Sequence, residues 1–189
     1  MLAFLEENGE TSWDIMILPI EKDETSGWKP GQPVPFLNSR FPEAYAAFSP
    51  DGHWLAYTSY ESGRAEVYIR AFPGPGQKQQ ISSGGGGFPR WSRSRNELFY
   101  LADDRRMMVS TYAGLGGSFQ AGKLRLFAQD PLTDLTVFGY PNPGFDLHPD
   151  GKRLALLKAS EAQAETKPAK VNLIFNFFDE LRHRAPASR

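Results

Sequence analysis

The chain has 189 residues, no cysteine, and 21 basic against 22 acidic side chains, a formal net charge of −1. This excludes disulfides, thiolate metal sites and a cysteine nucleophile, and it leaves no bulk positive field of the kind that draws nucleic acid. Hydrophobic residues at 40% suffice for a packed interior, while 18 Gly and 15 Pro suit many short strands joined by tight turns.

Met1-Leu2-Ala3-Phe4-Leu5-Glu6-Glu7 lacks the basic region and apolar stretch of a signal peptide. No apolar run approaches the ~18 residues that span a bilayer, so membrane insertion by this chain is not expected. Alternation between turn signals then predicts strands in order. The first group covers 2–6, 13–20 and 34–37, and the second 44–48, 54–59, 66–72 and 78–82. The third covers 88–91, 97–101, 107–113 and 123–127, and the fourth 144–147, 153–158 and 171–175. Asn176-Phe177-Phe178-Asp179-Glu180-Leu181-Arg182 reads as a short amphipathic helix with Phe177, Phe178 and Leu181 on one face. Two connections are long, 128–143 and the polar 160–168; such loops in a compact repeat are functional or mobile.

One short phrase is written three times. It is Phe48-Ser49-Pro50-Asp51-Gly52 before Leu55-Ala56-Tyr57, Trp91-Ser92-Arg93-Ser94 before Leu98-Phe99-Tyr100, and Leu147-His148-Pro149-Asp150-Gly151 before Leu154-Ala155-Leu156. Asp51, Ser94 and Asp150 stand 43 and 56 residues apart. A period of about 40–45 residues is that of a propeller blade, one four-stranded sheet per repeat. The expected fold class is therefore all-β, a partial β-propeller of about four blades with a short C-terminal helix. The units are 1–38, 39–83, 84–130 and 131–181, with a tail at 182–189. Leu2-Ala3-Phe4 matches Leu55-Ala56-Tyr57, so the chain opens at the second strand of a unit. That is expected of a fragment of a longer propeller, the alternative being an internal methionine at position 1.

The two Pro-Asp-Gly turns, with Asp51 and Asp150, resemble those of the WD-like, TolB-type propeller repeats. Phe88-Pro89-Arg90-Trp91-Ser92 followed by Glu97-Leu98-Phe99-Tyr100-Leu101 is similar to propellers found behind bacterial serine/threonine kinase domains or winged-helix regulators. Val171-Asn172-Leu173-Ile174-Phe175 with the residues to Leu181 is similar to the last strand and closing helix of those proteins, where a tryptophan commonly stands at the place of Phe177. The chain departs from the pattern at Arg93-Ser94-Arg95, which replaces Pro-Asp-Gly, and it carries fewer blades than TolB-type propellers usually have. It contains no Gly-rich phosphate loop of a kinase, no His-Arg-Asp loop and no Asp-Phe-Gly. A kinase domain fused to this piece would lie outside it.

No catalytic set emerges. Asp51 and Asp150 read as turn residues that bond their own backbone. Gly84-Gly85-Gly86-Gly87 leads into a strand rather than the helix a phosphate cradle needs, and so reads as a flexible connection between blades. Gly114-Leu115-Gly116-Gly117-Ser118 lacks the Gly-x-Ser-x-Gly order of a nucleophile elbow and reads as a hairpin turn. His53, His148 and His183 have no ligand spacing between them. No cofactor and no metal is expected. Recurrent aromatics such as Trp54, Tyr57, Trp91 and Phe99 read first as packing between sheets.

Binding surfaces on propellers come from the connections around the central channel. Here those contain Arg40, Phe41 and Glu43, then Phe88 and Arg90, then Phe138, Tyr140 and Asn142. Aromatic and Arg residues exposed together suit partner recognition. The expected function is a non-catalytic interaction or sensor module that binds a protein or small ligand through loops on one face. The alternative is the regulatory propeller of a bacterial serine/threonine kinase, and a third reading is the propeller part of a peptidase. Uncovered terminal blade faces would drive self-association. The compartment stays open, and a periplasmic place fits a longer membrane-anchored protein.

Overall fold

A computed structural model describes residues 1–10, 12–23, 27–74, 76–115, 118–132 and 144–157. Every regular element among them is a β-strand, and no helix among them is long and apolar enough to cross a membrane. The expected strand over 171–175 and helix over 176–182 lie outside the described residues.

The strands form successive antiparallel sheets within one compact unit, 1–159. In the first sheet β1 (Leu2–Asn8) pairs with β2 (Ser12–Leu18). A separate hairpin of β3 (Ile20–Asp23) and β4 (Gly27–Pro30) follows, and β5 (Val34–Leu37) returns to β2. The second sheet is the meander β6 (Glu43–Phe48), β7 (Trp54–Ser59), β8 (Glu66–Ala71) and β9 (Lys78–Gln80). The third repeats it with β10 (Gly86–Trp91), β11 (Glu97–Ala102), β12 (Met107–Leu115) and β13 (Ser118–Leu126). Of the fourth, β14 (Phe145–Leu147) and β15 (Leu154–Leu156) are described.

The hairpin β3–β4 was not expected from the sequence. All four residues of β4 are exposed, so it lacks the alternation that marks a half-buried strand. Strand β13 begins earlier than the expected 123, and its added length carries Phe119 under Trp54 and Trp91, 5.2 and 6.3 Å between ring centroids.

Period-2 alternation stacks the sheets face to face. On β7, Leu55 and Tyr57 meet Ile15, Ile17 and Leu37 of the first sheet. The intervening Trp54 and Ala56 meet Trp91, Leu98 and Tyr100 of the third. On β11, Phe99 and Leu101 turn the other way, toward Phe145 of the fourth. Strands β7 and β11 are thus apolar on both faces, which explains their unbroken runs Trp54-Leu55-Ala56-Tyr57 and Leu98-Phe99-Tyr100-Leu101.

The connections between sheets are tied down by a buried carboxylate. Glu66 accepts hydrogen bonds from the Gly85 amide at 3.0 Å, the Arg64 guanidinium at 2.9 Å and the Ser82 hydroxyl. The glycine run is consequently a close approach rather than a flexible link. Gly85 has φ +88°, and a Cβ there would fall 2.0 Å from the Asp103 carboxylate; one on Gly86 would fall 2.8 Å from the Tyr100 ring. The Pro-Asp-Gly turns follow their chemistry. Asp51 accepts the His53 amide at 3.1 Å, Asp150 the Lys152 amide at 2.8 Å, and Gly52 and Gly151 take φ of 73° and 66°.

Candidate functional site

The first strands of the second, third and fourth sheets, β6, β10 and β14, lie side by side. Their residues correspond across the repeats: Tyr45 to Phe88 to Gly144, and Ala47 to Arg90 to Asp146, in steps of 43 and 56 residues. All three residues of the first series have left-handed backbone, φ 57°, 60° and 68°. On β6 the ladder register shifts between Ala44 and Ala47, and on β10 between Gly87 and Arg90, so each strand carries a bulge at the same place. The Phe88 amide released by the bulge donates to the Thr58 hydroxyl at 3.2 Å. The Tyr45 and Phe88 rings meet with centroids 4.1 Å apart.

The second series opens onto a cavity of about 660 Å³, lined by the C-terminal ends of β6 and β10, by β14 and by the turns after them. Arg90, Arg93 and Asp146 supply its charge, His148 an imidazole, and Phe48, Trp91, Leu147 and Pro149 its apolar wall. The Arg90 side chain is 28% exposed and sits 3.5 Å from the Asp146 carboxylate, whose own exposure is 77%. One guanidinium nitrogen donates to the Pro89 carbonyl at 3.0 Å, and the group lies over the Phe145 ring. Burial pushes the Arg90 pKa down from its ordinary value, against the opposing pull of Asp146. Trp91 is fixed by its indole N–H, which donates to the Ala47 carbonyl at 2.9 Å. Arg93 has no hydrogen bond or ion pair among the described residues. A half-desolvated guanidinium in an apolar-walled cavity is a binding group for an anion.

No family model matches the chain, and no curated protein does. A crystal structure of TolB from Acinetobacter baumannii is similar to it at 20% identity and a TM-score of 0.45, over 85% of this chain. The chain spans about half, 47%, of that structure.

The residues expected to bind divide into four sets. Arg90 lines the large cavity and Phe88 a smaller one at the other end of β10. Arg40 lies exposed in the β5–β6 connection with its guanidinium over the Phe41 ring, 4.9 Å from the centroid, and Phe41 is half-buried; neither lines either cavity. Glu43 does not face solvent: it opens β6, is 3% exposed, and accepts the Ser39 hydroxyl. Burial pushes its carboxyl above the ordinary range, and the charges of Asp14 and Glu61 push the same way against the Ser39 bond. Phe138, Tyr140 and Asn142 lie outside the described residues.

Arg93, Asp146 and His148 of the large cavity were missed, as were Tyr45 and Arg105 of the small one. A signal existed for several: reading down the repeats places 47, 90 and 146, and 45, 88 and 144, at common positions of one strand. Among the described residues no group of three His, Asp or Glu side chains is placed to hold a metal.

Proposed function

We propose that the chain is a propeller-type binding module, non-catalytic, that takes an anionic ligand or an acidic segment of a partner protein into the 660 Å³ cavity at the ends of β6, β10 and β14. The propeller reading is supported by the two complete four-stranded meanders stacked face to face with their first strands adjacent. The observation that carries the binding role is Arg90: a guanidinium 28% exposed, anchored at 3.5 Å by a single exposed carboxylate in a cavity of ligand size. The stacked sheets hold Arg90 and Trp91 rigid, so little ordering is needed when the ligand arrives. A second reading sets the same module at the regulatory end of a serine/threonine kinase polypeptide. It rests on Phe88-Pro89-Arg90-Trp91-Ser92 and the strand after it, and sequencing the surrounding reading frame tests it.

The binding role is tested by screening short acidic peptides and organic acids for thermal stabilisation of the chain, followed by titration through Trp91 fluorescence. The expected result is saturable binding that weakens at least about tenfold in Arg90→Ala with folding retained. Binding of equal strength to Arg90→Ala, or no acid that binds, overturns the reading.

A further inference from the structure

At the N-terminal ends of β6 and β10 lies a separate cavity of about 230 Å³. Tyr45, Thr58, Tyr60, Phe88, Asp103 and Arg105 line it, and it shares no lining residue with the Arg90 cavity. Among the described residues four non-glycine positions have a left-handed backbone: Ser12, Tyr45, Phe88 and Arg105. Three of the four line this one cavity. Such conformations carry a penalty, persist where the surrounding structure over-determines them, and cluster at ligand clamps and active sites. The fourth sheet supplies the same backbone shape with no side chain, at Gly144 with φ 68°. The backbone shape alone therefore does not account for the aromatic rings at 45 and 88, which meet each other at 4.1 Å. Phe88 also packs against the apolar cluster of Phe99, Leu101 and Phe145 between the third and fourth sheets.

Charge at the rim is equally specific. In the β11–β12 hairpin Arg106 pairs with Asp104 at 3.7 Å, while the side chains of Arg105 and Asp103 have no hydrogen bond or ion pair among the described residues. The Asp103 carboxylate lies against Gly85, in the room that the missing Cβ leaves. The cavity therefore offers an aromatic floor, with one cation and one anion whose side chains have no partner among the described residues. At about 230 Å³ it is below the ~300 Å³ where drug-sized sites begin, which limits the guest to one ring and a short appendage. Asp103 disfavours a second negative charge on the guest.

We propose that this cavity is a second binding site, for a compact aromatic monocarboxylate whose ring stacks on Tyr45 and Phe88 and whose carboxylate pairs with Arg105. The guest is recognised by ring stacking and a charge-assisted bond, and its site is independent of the Arg90 cavity.

The probe is phenylacetate, titrated into the whole chain and followed by ring-current shifts of the protein's aromatic protons in NMR. Arg105→Gly removes the cation while suiting the backbone, since glycine adopts φ near 62° without penalty; the variant is expected to melt no lower than the parent. Saturable phenylacetate binding that falls at least about tenfold in Arg105→Gly, and is unchanged in Arg90→Ala, supports the site. Binding lost in Arg90→Ala but kept in Arg105→Gly places the guest in the other cavity and overturns the proposal while leaving the first reading standing. Equal binding of benzylamine, or tighter binding of phenyl phosphate, overturns the assignment of a monocarboxylate. Absence of saturable binding overturns the site itself.

Discussion

Glu43 is a charged residue in a place where charge is costly. Burial first, then the carboxylates of Asp14 and Glu61, push its carboxyl above the ordinary 4.5. Its Oε2 has no hydrogen-bond partner among the described residues. A carboxyl raised on folding contributes its full stability below its ordinary value and loses it as pH rises through the folded value. Melting temperature should accordingly fall as pH climbs from 4.5 toward neutrality. In Glu43→Gln, which keeps an acceptor for the Ser39 hydroxyl, that fall should flatten, and the variant should melt higher than the parent at neutral pH. An unchanged pH slope would rule this out. Asp51 has the opposite sign: burial alone would raise it, yet the Ser49 hydroxyl and the His53 amide hold it below 3.8, so its contribution is present at neutral pH and lost only in acid. The two residues also show what sequence can reveal at this scale. Asp51 is legible because a Pro-Asp-Gly turn writes its partners beside it in the chain. Glu43 is not, because the burial that decides its behaviour is made by the folded sheets, and a charge that adds to it, Asp14, is twenty-nine residues away in sequence on another sheet.

Strands β7, β8 and β11 were legible nearly to their ends because burial on both faces imposes long apolar runs. The bulges at Tyr45 and Phe88 were not. A left-handed aromatic has no local sequence mark; it depends on Thr58 of the preceding sheet taking up the freed amide of Phe88. The β3–β4 hairpin was missed for a different reason, and that reason predicts how it behaves. Among the described residues its strands pair with each other, Trp28 is 70% exposed, and the Gly31 amide donates to the Pro19 carbonyl at its base, 2.8 Å. An element that buries so little contributes little to the core. Replacing residues 20–30 by a Gly-Gly turn should change unfolding free energy by less than about 1 kcal/mol in urea titration. A loss several times larger would show that the hairpin supports β5 or the sheet beneath it.

At the scale of the whole molecule the main contacts among the described residues join each sheet to the next, which makes stability a sum of terms for each sheet and each interface between neighbours. Phe99 tests this. It is 0% exposed, faces the fourth sheet with Leu101, Met107, Val109 and Phe145, and meets Phe127 edge-on at 5.1 Å. Phe99→Ala should cost roughly 3–5 kcal/mol through lost burial and the cavity left behind. Nearest-neighbour coupling predicts where the loss appears. In native-state hydrogen exchange the amides of β14 and β15, then those of β11 and β12, should lose protection, while those of β1 and β2, two interfaces away, keep theirs. Uniform loss across all four sheets would mean a single cooperative core. That outcome also bears on the two cavities, since both are assembled from strands of different sheets. With nearest-neighbour coupling, the defect left by Phe99→Ala should weaken a ligand held by Arg90 and Asp146, and also a guest on the Tyr45–Phe88 floor, because Phe88 and Leu101 belong to the same apolar cluster as Phe99, while the first sheet stays intact.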